Sequence, residues 1–442
     1  MATTTEKIDA LFDRTSALCQ SGRLSEAEAL HAERLSRDPG ATYSLAFLAG
    51  LNVVRGDPDT AERLSQQCLA QDPSPLKYFL KIGLVFEQLA EPGRAAEAFA
   101  QAIGQDRTNY VGYLYLGTLF EDGGDPEKAA RLYGLAVEAG LVLPQAGSDP
   151  ALPSFVRRKV MRAAALLSRH VANLHRAAAV QALDDPARAD DLRRVLSGLW
   201  CRYQTEPIDY GDDPRRPGAF FLPGLPATPF VDRARFDWID RLEAALGDIR
   251  DEALNAIDLD RDGRADVPAH ASPRPTGQQP EAPHDWSSVP LFTTGGQHTD
   301  IAARLPRTMA AVQAVADTGA MVTRSGVPAQ VYFSALKPST RIPPHAGRTN
   351  AALTLHLPIV ALDGCGLRVG GQDHPWRDGE AVVFDDSFQH QAWNDSDTVR
   401  LLLVFQVWHP DLTAIERRAL DASFGALDEW TDSLYGALTI DL

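Results

Sequence analysis

The chain has 442 residues, with Lys+Arg 43 against Asp+Glu 59, a net charge of −16, 44% hydrophobic residues and 23% charged ones. That is the make-up of a folded globular protein of two or three domains, and the negative charge argues against nucleic acid as a partner. Cys19, Cys68, Cys201 and Cys365 make no CxxC pair, the N-terminal stretch is amphipathic and charged, and no apolar run approaches a membrane span. A zinc module, a disulfide framework, a signal peptide and a membrane helix are therefore not expected, and a cytoplasmic location is.

The first third repeats with a period of 34 residues. Tyr113, Leu116, Gly117, Phe120, Ala129, Tyr133 and Ala136 have the tetratricopeptide spacing, and Phe79, Ile82, Gly83, Phe86, Ala95, Phe99 and Ala102 fill the same slots one repeat earlier. Leu45, Leu48, Ala49, Asn52, Ala61, Ser65 and Cys68 form a third copy, closed by Pro73, and Leu11, Ala27 and Pro39 a fainter one. Small residues let paired helices approach while large ones fill the space between them, so a short solenoid is predicted, with core packing as the role of the aromatic residues. Its concave face suits a peptide or protein partner.

Residues 154–183 have helical periodicity opened by Ser154, and a second helix is predicted over about Ala187 to Tyr203. His170 and His175, five apart on the first of these, read as surface or packing residues. From Asp209 the chain is rich in Pro and Gly and reads as a linker and wrapping segment, followed by a helix from about Arg233 to Ala256. Asp258, Asp260, Asp262 and Gly263 resemble the opening of a calcium loop, but Ala269 stands where its Glu belongs, so an acidic solvated turn is the expectation.

From Val331 the chain turns to short apolar runs at regular spacing, which predicts an all-β barrel or sandwich. His345, His356 and His390 fall at or within these strands. Two imidazoles converging on one barrel mouth suit a first-row divalent metal. The carboxylate usual two residues after the first ligand is replaced by Gly347, so spacing alone also leaves ordinary polar histidines open.

The runs PPHAGRTNAALTLHLPI, CGLRVGG, WRDGEAVVFDDSFQHQAWNDS and VRLLLVFQVWHPDL resemble the aspartyl/asparaginyl β-hydroxylase family, with weaker similarity reaching back to about residue 219. The resemblance implies a double-stranded β-helix oxygenase using Fe(II), 2-oxoglutarate and dioxygen. His345 and His390 match the family's iron-binding histidines, and Gly347 matches a family without the carboxylate ligand. By the same resemblance, Asp386 is placed to order metal-bound water, and Arg400 and Ser334 match the partners of the 2-oxoglutarate distal carboxylate. His356 matches a residue beside the metal-bound end. The chain departs at Thr354 and Ala352, where similar members carry an arginine, and Arg348 is a candidate replacement for that charge.

The sequence thus predicts an α+β multidomain protein: a tetratricopeptide solenoid over 1–143, a helical connector over 144–208 and a double-stranded β-helix (jelly-roll) domain over 209–442. The implied activity is hydroxylation of an Asp or Asn residue in a peptide or protein recruited by the repeats. A hydroxylase of a free amino acid or small metabolite, and a non-catalytic scaffold with a degenerate barrel, are the alternatives.

Overall fold

A computed structural model describes residues 4–184, 186–259, 285–292, 298–324, 327–328, 330–360 and 363–436. The chain divides into two compact units: Met1–His170 with Tyr203–Pro207 and Trp430–Leu442, and Val171–Arg202 with Ile208–Glu429.

The first unit is built from helical hairpins: α1 (Thr4–Gln20) with α2 (Leu24–Arg37), α3 (Thr42–Arg55) with α4 (Pro58–Gln71), α5 (Pro75–Gln88) with α6 (Pro92–Gln105), and α7 (Tyr110–Asp122) with α8 (Pro126–Glu138). Proline at the first position opens α4, α6 and α8, where its missing N–H has no helical partner to lose. Asp57 and Asp125 cap two of these helices by accepting from the Thr60 and Lys128 amides. The small slots of the repeat are required by contact. A Cβ at Gly83 would lie 2.4 Å from the Phe99 ring, and one at Gly117 would lie 2.6 Å from the Tyr133 ring. His31 is fully buried, stacked on Phe47 at 4.1 Å, with Thr15 Oγ1 and Ser44 Oγ each 3.0 Å from a ring nitrogen. The short α9 (Leu143–Ser148) leads into α10 (Ser154–Gln181).

The second unit is built around two larger antiparallel sheets. One has the order β11-β8-β13-β6-β3, made of Val382–Phe384, Ala352–Val360, Arg400–Trp408, Val331–Leu336 and Trp286–Pro290. The other is β10-β9-β12-β7, made of Gln372–Pro375, Cys365–Val369, His390–Asn394 and Thr340–His345. This is the double-stranded β-helix that the sequence predicts. Alternation assigns the faces of the larger sheet. Leu353, Leu355, Leu357, Phe333, Leu403 and Phe405 point outward into a core with Trp238, Ile239, Leu242, Ile249 and Val312. Their neighbours Thr354, His356, Ser334, Arg400 and Gln406 face inward. Leu336, Leu367, Val369, Phe384, Leu402 and Val404 close the core between the sheets.

Three sequence expectations are corrected. The helix expected over about Ala187 to Tyr203 is a 3-10 turn over Pro186–Leu192, one helical turn α11 (Arg193–Leu196) and strand β1 (Leu199–Trp200), paired with β2 (Phe220–Phe221). A Cβ at Gly198 would lie 2.1 Å from the Phe220 ring, and this close approach draws the chain out of the helix. The helix expected from Arg233 to Ala256 is a 3-10 turn over Arg233–Arg235 followed by two pieces, α12 (Ile239–Ala244) and α13 (Leu246–Ala256). The break at Ala245 lets both pieces turn apolar residues to the outer core. Ser154 is the first residue of α10 and its amide donates to Asp9 Oδ1 at 2.7 Å, so the cap is supplied by α1. The calcium-like loop from Asp260 onward lies outside the described residues.

Candidate active site

β7 ends on His345 and β12 begins on His390, and antiparallel register pairs the two directly, with ring centroids 4.1 Å apart. His345 Nδ1 donates to the Pro343 carbonyl at 2.8 Å and His390 Nδ1 to the Phe388 carbonyl at 3.0 Å. A carbonyl only accepts, so the proton sits on Nδ1 and Nε2 carries the lone pair in both rings. Burial lowers the pKa of both, that of His390 to about 3, so both are neutral near pH 7, the state that ligates a metal.

Asp386 lies on the turn that leads into β12, buried in the same cavity. Thr354 Oγ1 donates to its Oδ2 at 2.8 Å, while Oδ1 is buried without a partner. Burial raises its pKa to about 7. A Cβ at Gly347 would lie 2.2 Å from Asp386 Oδ1, so the carboxylate occupies the space that a side chain two residues after His345 would need.

On the larger sheet, Arg400 opens β13 opposite Leu336, and Ser334 lies two residues earlier on β6. The guanidinium is 1% exposed and donates to Ser334 Oγ at 2.9 Å, which also accepts from Trp286 Nε1 at 3.1 Å. It lies 5.0 Å over the Trp376 ring, its Nε has no partner, and burial draws its pKa down to about 10. Among the described residues no carboxylate pairs with it. Burying an uncompensated charge is costly, and an anion would compensate it. His356 packs edge-on to Phe384 at 4.8 Å with its Nδ1 unpartnered, and burial holds its pKa well below the usual histidine range.

These groups line one cavity of about 70 Å³, together with Tyr332, Gln330 and Gln406. Six of the seven residues singled out in the sequence therefore share it: Ser334, His345, His356, Asp386, His390 and Arg400. Arg348 is not among the lining residues; its backbone carbonyl accepts from the Ala219 and Phe220 amides. Thr354 lines the cavity and Ala352 does not. Among the described residues no three His, Cys, Asp or Glu side chains cluster as a metal site.

Arg215 was not legible in the sequence. It is 1% exposed, pairs with Asp213 at 2.6 Å and Asp385 at 3.3 Å, and donates to the Leu225 and Pro226 carbonyls. Next to it, the Arg216 and Gly218 amides donate to the carbonyls of Ser387 and Gly347. The Pro- and Gly-rich stretch is thus a strap that ties together the two turns beside His345 and His390.

Residues 243–410 match the family model described as aspartyl/asparaginyl beta-hydroxylase, which bears out the resemblance read from the sequence. The Mus musculus aspartyl/asparaginyl beta-hydroxylase is 35% identical over 31% of this chain and 18% of its own length, and the Homo sapiens protein of that name 33% identical over 45% and 25%. Homo sapiens aspartate beta-hydroxylase domain-containing protein 1 is 32% identical over 48% of this chain and 52% of its own. The chain thus spans about half the length, or less, of these relatives. Among the described residues no helix is long and apolar enough to cross a membrane.

Proposed function

We propose that the unit bearing the aspartyl/asparaginyl β-hydroxylase match is an Fe(II)- and 2-oxoglutarate-dependent oxygenase that hydroxylates the β-carbon of an Asp or Asn residue in a peptide or protein. The observation that carries this reading is the pairing, in one cavity, of two neutral imidazoles with a buried guanidinium that has no carboxylate. That donor set fits the two groups: Nε2 of His345 and His390 would hold the iron, and Arg400 with Ser334 the distal carboxylate of 2-oxoglutarate. When bound, the pair would supply activation of dioxygen, one oxygen atom entering an unactivated C–H bond as hydroxyl and the other the succinate formed with carbon dioxide from 2-oxoglutarate.

The chain's own contribution is placement. Backbone carbonyls fix the tautomer and orientation of both histidines before any metal arrives. Trp286 orients the Ser334 hydroxyl, and Trp376 shields the Arg400 face. Asp386 holds its Oδ1 free in the space opened by Gly347, where it can order a water or a substrate hydroxyl. Phe384 and Val404 give the cavity apolar walls.

The test is anaerobic titration of purified protein with Fe(II) and 2-oxoglutarate, following the visible charge-transfer band. The band should form with wild type and vanish in His345→Ala and Arg400→Ala. Its absence from folded wild-type protein sinks the proposal.

A further inference from the structure

We propose that the inner face of the repeat array is a groove for a basic amphipathic helix, and that its resident ligand is this chain's own α10. The contacts involved lie within the first unit. Helical-repeat arrays bind their partners on an extended concave surface, and the first helices of the hairpins here are α1, α3, α5 and α7. The part of α10 within this unit reaches three of them. Phe155 stacks on Phe12 of α1 at 3.9 Å, and Arg158 pairs with Asp13 at 3.0 Å. Lys159, only 7% exposed, meets Glu87 of α5 at 2.6 Å and lies 5.5 Å over the Tyr115 ring of α7. Arg162 pairs with Glu121 at 3.1 Å and Asp122 at 2.6 Å, both on α7.

Two of these pairs follow the register of the repeat. Glu87 and Glu121 are 34 residues apart, the same slot of successive repeats, and they take cations three residues apart on α10. Three residues is just under one helical turn, so the two cations lie on one side of α10. Val156, Val160, Ala163, Ala164 and Leu167 are buried at helical spacing on the same segment. Acidic slots, a buried lysine and an aromatic anchor together specify a helix of composition F-V-x-x-K-V-x-R. A substrate peptide recruited by the repeats would have to displace α10 or use another face.

The experiment uses the full chain and a fluorescein-labelled peptide of residues 154–170, with binding read by anisotropy and helix content by circular dichroism. Wild type, its groove filled in cis, should bind the peptide at least tenfold more weakly than Lys159→Glu. Adding Glu87→Lys to that variant should return binding to the wild-type level. Equal binding by wild type and Lys159→Glu, or no saturable binding by a folded Lys159→Glu chain, overturns the proposal. If Lys159→Glu is insoluble, Phe155→Ala takes its place. Independently, amides of residues 158–167 in wild type should exchange as slowly as those of α5, and fast exchange there overturns it too.

Discussion

The repeat array and the barrel bury the same kinds of side chain and leave them in opposite states. In the array, His31 has a hydroxyl against each ring nitrogen, so its valence is spent. In the barrel, His345 and His390 use Nδ1 on backbone carbonyls and keep Nε2. The same contrast divides Arg215 and Arg400, both fully buried in the second unit. Arg215 meets two carboxylates and two carbonyls, whereas Arg400 has one hydroxyl and an indole face. Burial alone does not mark a functional residue; burial with unspent bonding capacity does.

The arginine pair gives the largest expected effect. Arg215→Met leaves Asp385 buried without its cation and should cost about 4 kcal/mol, as breaking a buried ion pair by removing one partner does. Arg400→Met removes a buried charge that has no counter-ion, so it should leave stability unchanged or raise it by about 1 kcal/mol. Urea unfolding of both variants reads the difference, and equal destabilisation would erase the distinction between spent and unspent arginines.

The spent histidine makes the next prediction. Burial depresses the pKa of His31 to about 4 from its ordinary 6.5. The unfolded chain therefore binds the extra proton between those values, so stability is full above about pH 6.5 and falls as pH drops towards 4. At about 1.4 kcal/mol per unit, the loss is about 3 kcal/mol. His31→Phe should flatten that part of the pH profile of repeat unfolding, and an unchanged slope would locate the titration elsewhere.

For the unspent arginine the effect lies in binding. Losing a charge-assisted contact worth roughly 1.5–3 kcal/mol should weaken 2-oxoglutarate by about tenfold to a hundredfold in Arg400→Met, with the Fe(II) affinity of the histidine pair retained. Isothermal titration with each ligand separates the two; a parallel loss of iron would mean the variant disturbs the whole cavity.

Much of this contrast was legible in the sequence. The 34-residue period exposed the packing of Gly83 on Phe99 and Gly117 on Tyr133 because that packing is local and repeated. The family resemblance picked out Ser334, His345, His356, His390 and Arg400, and all five line the one cavity. What stayed hidden depends on partners distant in sequence. Arg215 sits in a stretch whose Pro and Gly content reads as linker, and only its 170-residue reach to Asp385 makes it an anchor. The seat of α10 on the array depends on Glu87 and Glu121, whose slot carries no packing signal. Pro58, Pro92 and Pro126, 34 residues apart at the helix starts, carry the same period in the open.

The smallest effect tests whether periodicity alone can expose a defect. Gly22, Gly56 and Gly124 close the first helices of their hairpins with φ of +72°, +79° and +83°, and in the same slot stands Ala90 at φ 59°. That region costs an L-residue roughly 1–2 kcal/mol, of which the greater unfolded-state freedom of glycine takes back a part. Ala90 is exposed, so its methyl group contributes little packing. Ala90→Gly should therefore stabilise the array by roughly 0.5–1 kcal/mol, raising its melting temperature by about 2 °C, and Gly124→Ala should lower it comparably. Ser339 in the barrel also has a positive φ, of 58°, but no sibling repeat by which to judge it. If Ala90→Gly is neutral, the repeat register at that turn is maintained by contacts other than backbone conformation, and the period loses its power to rank positions within the array.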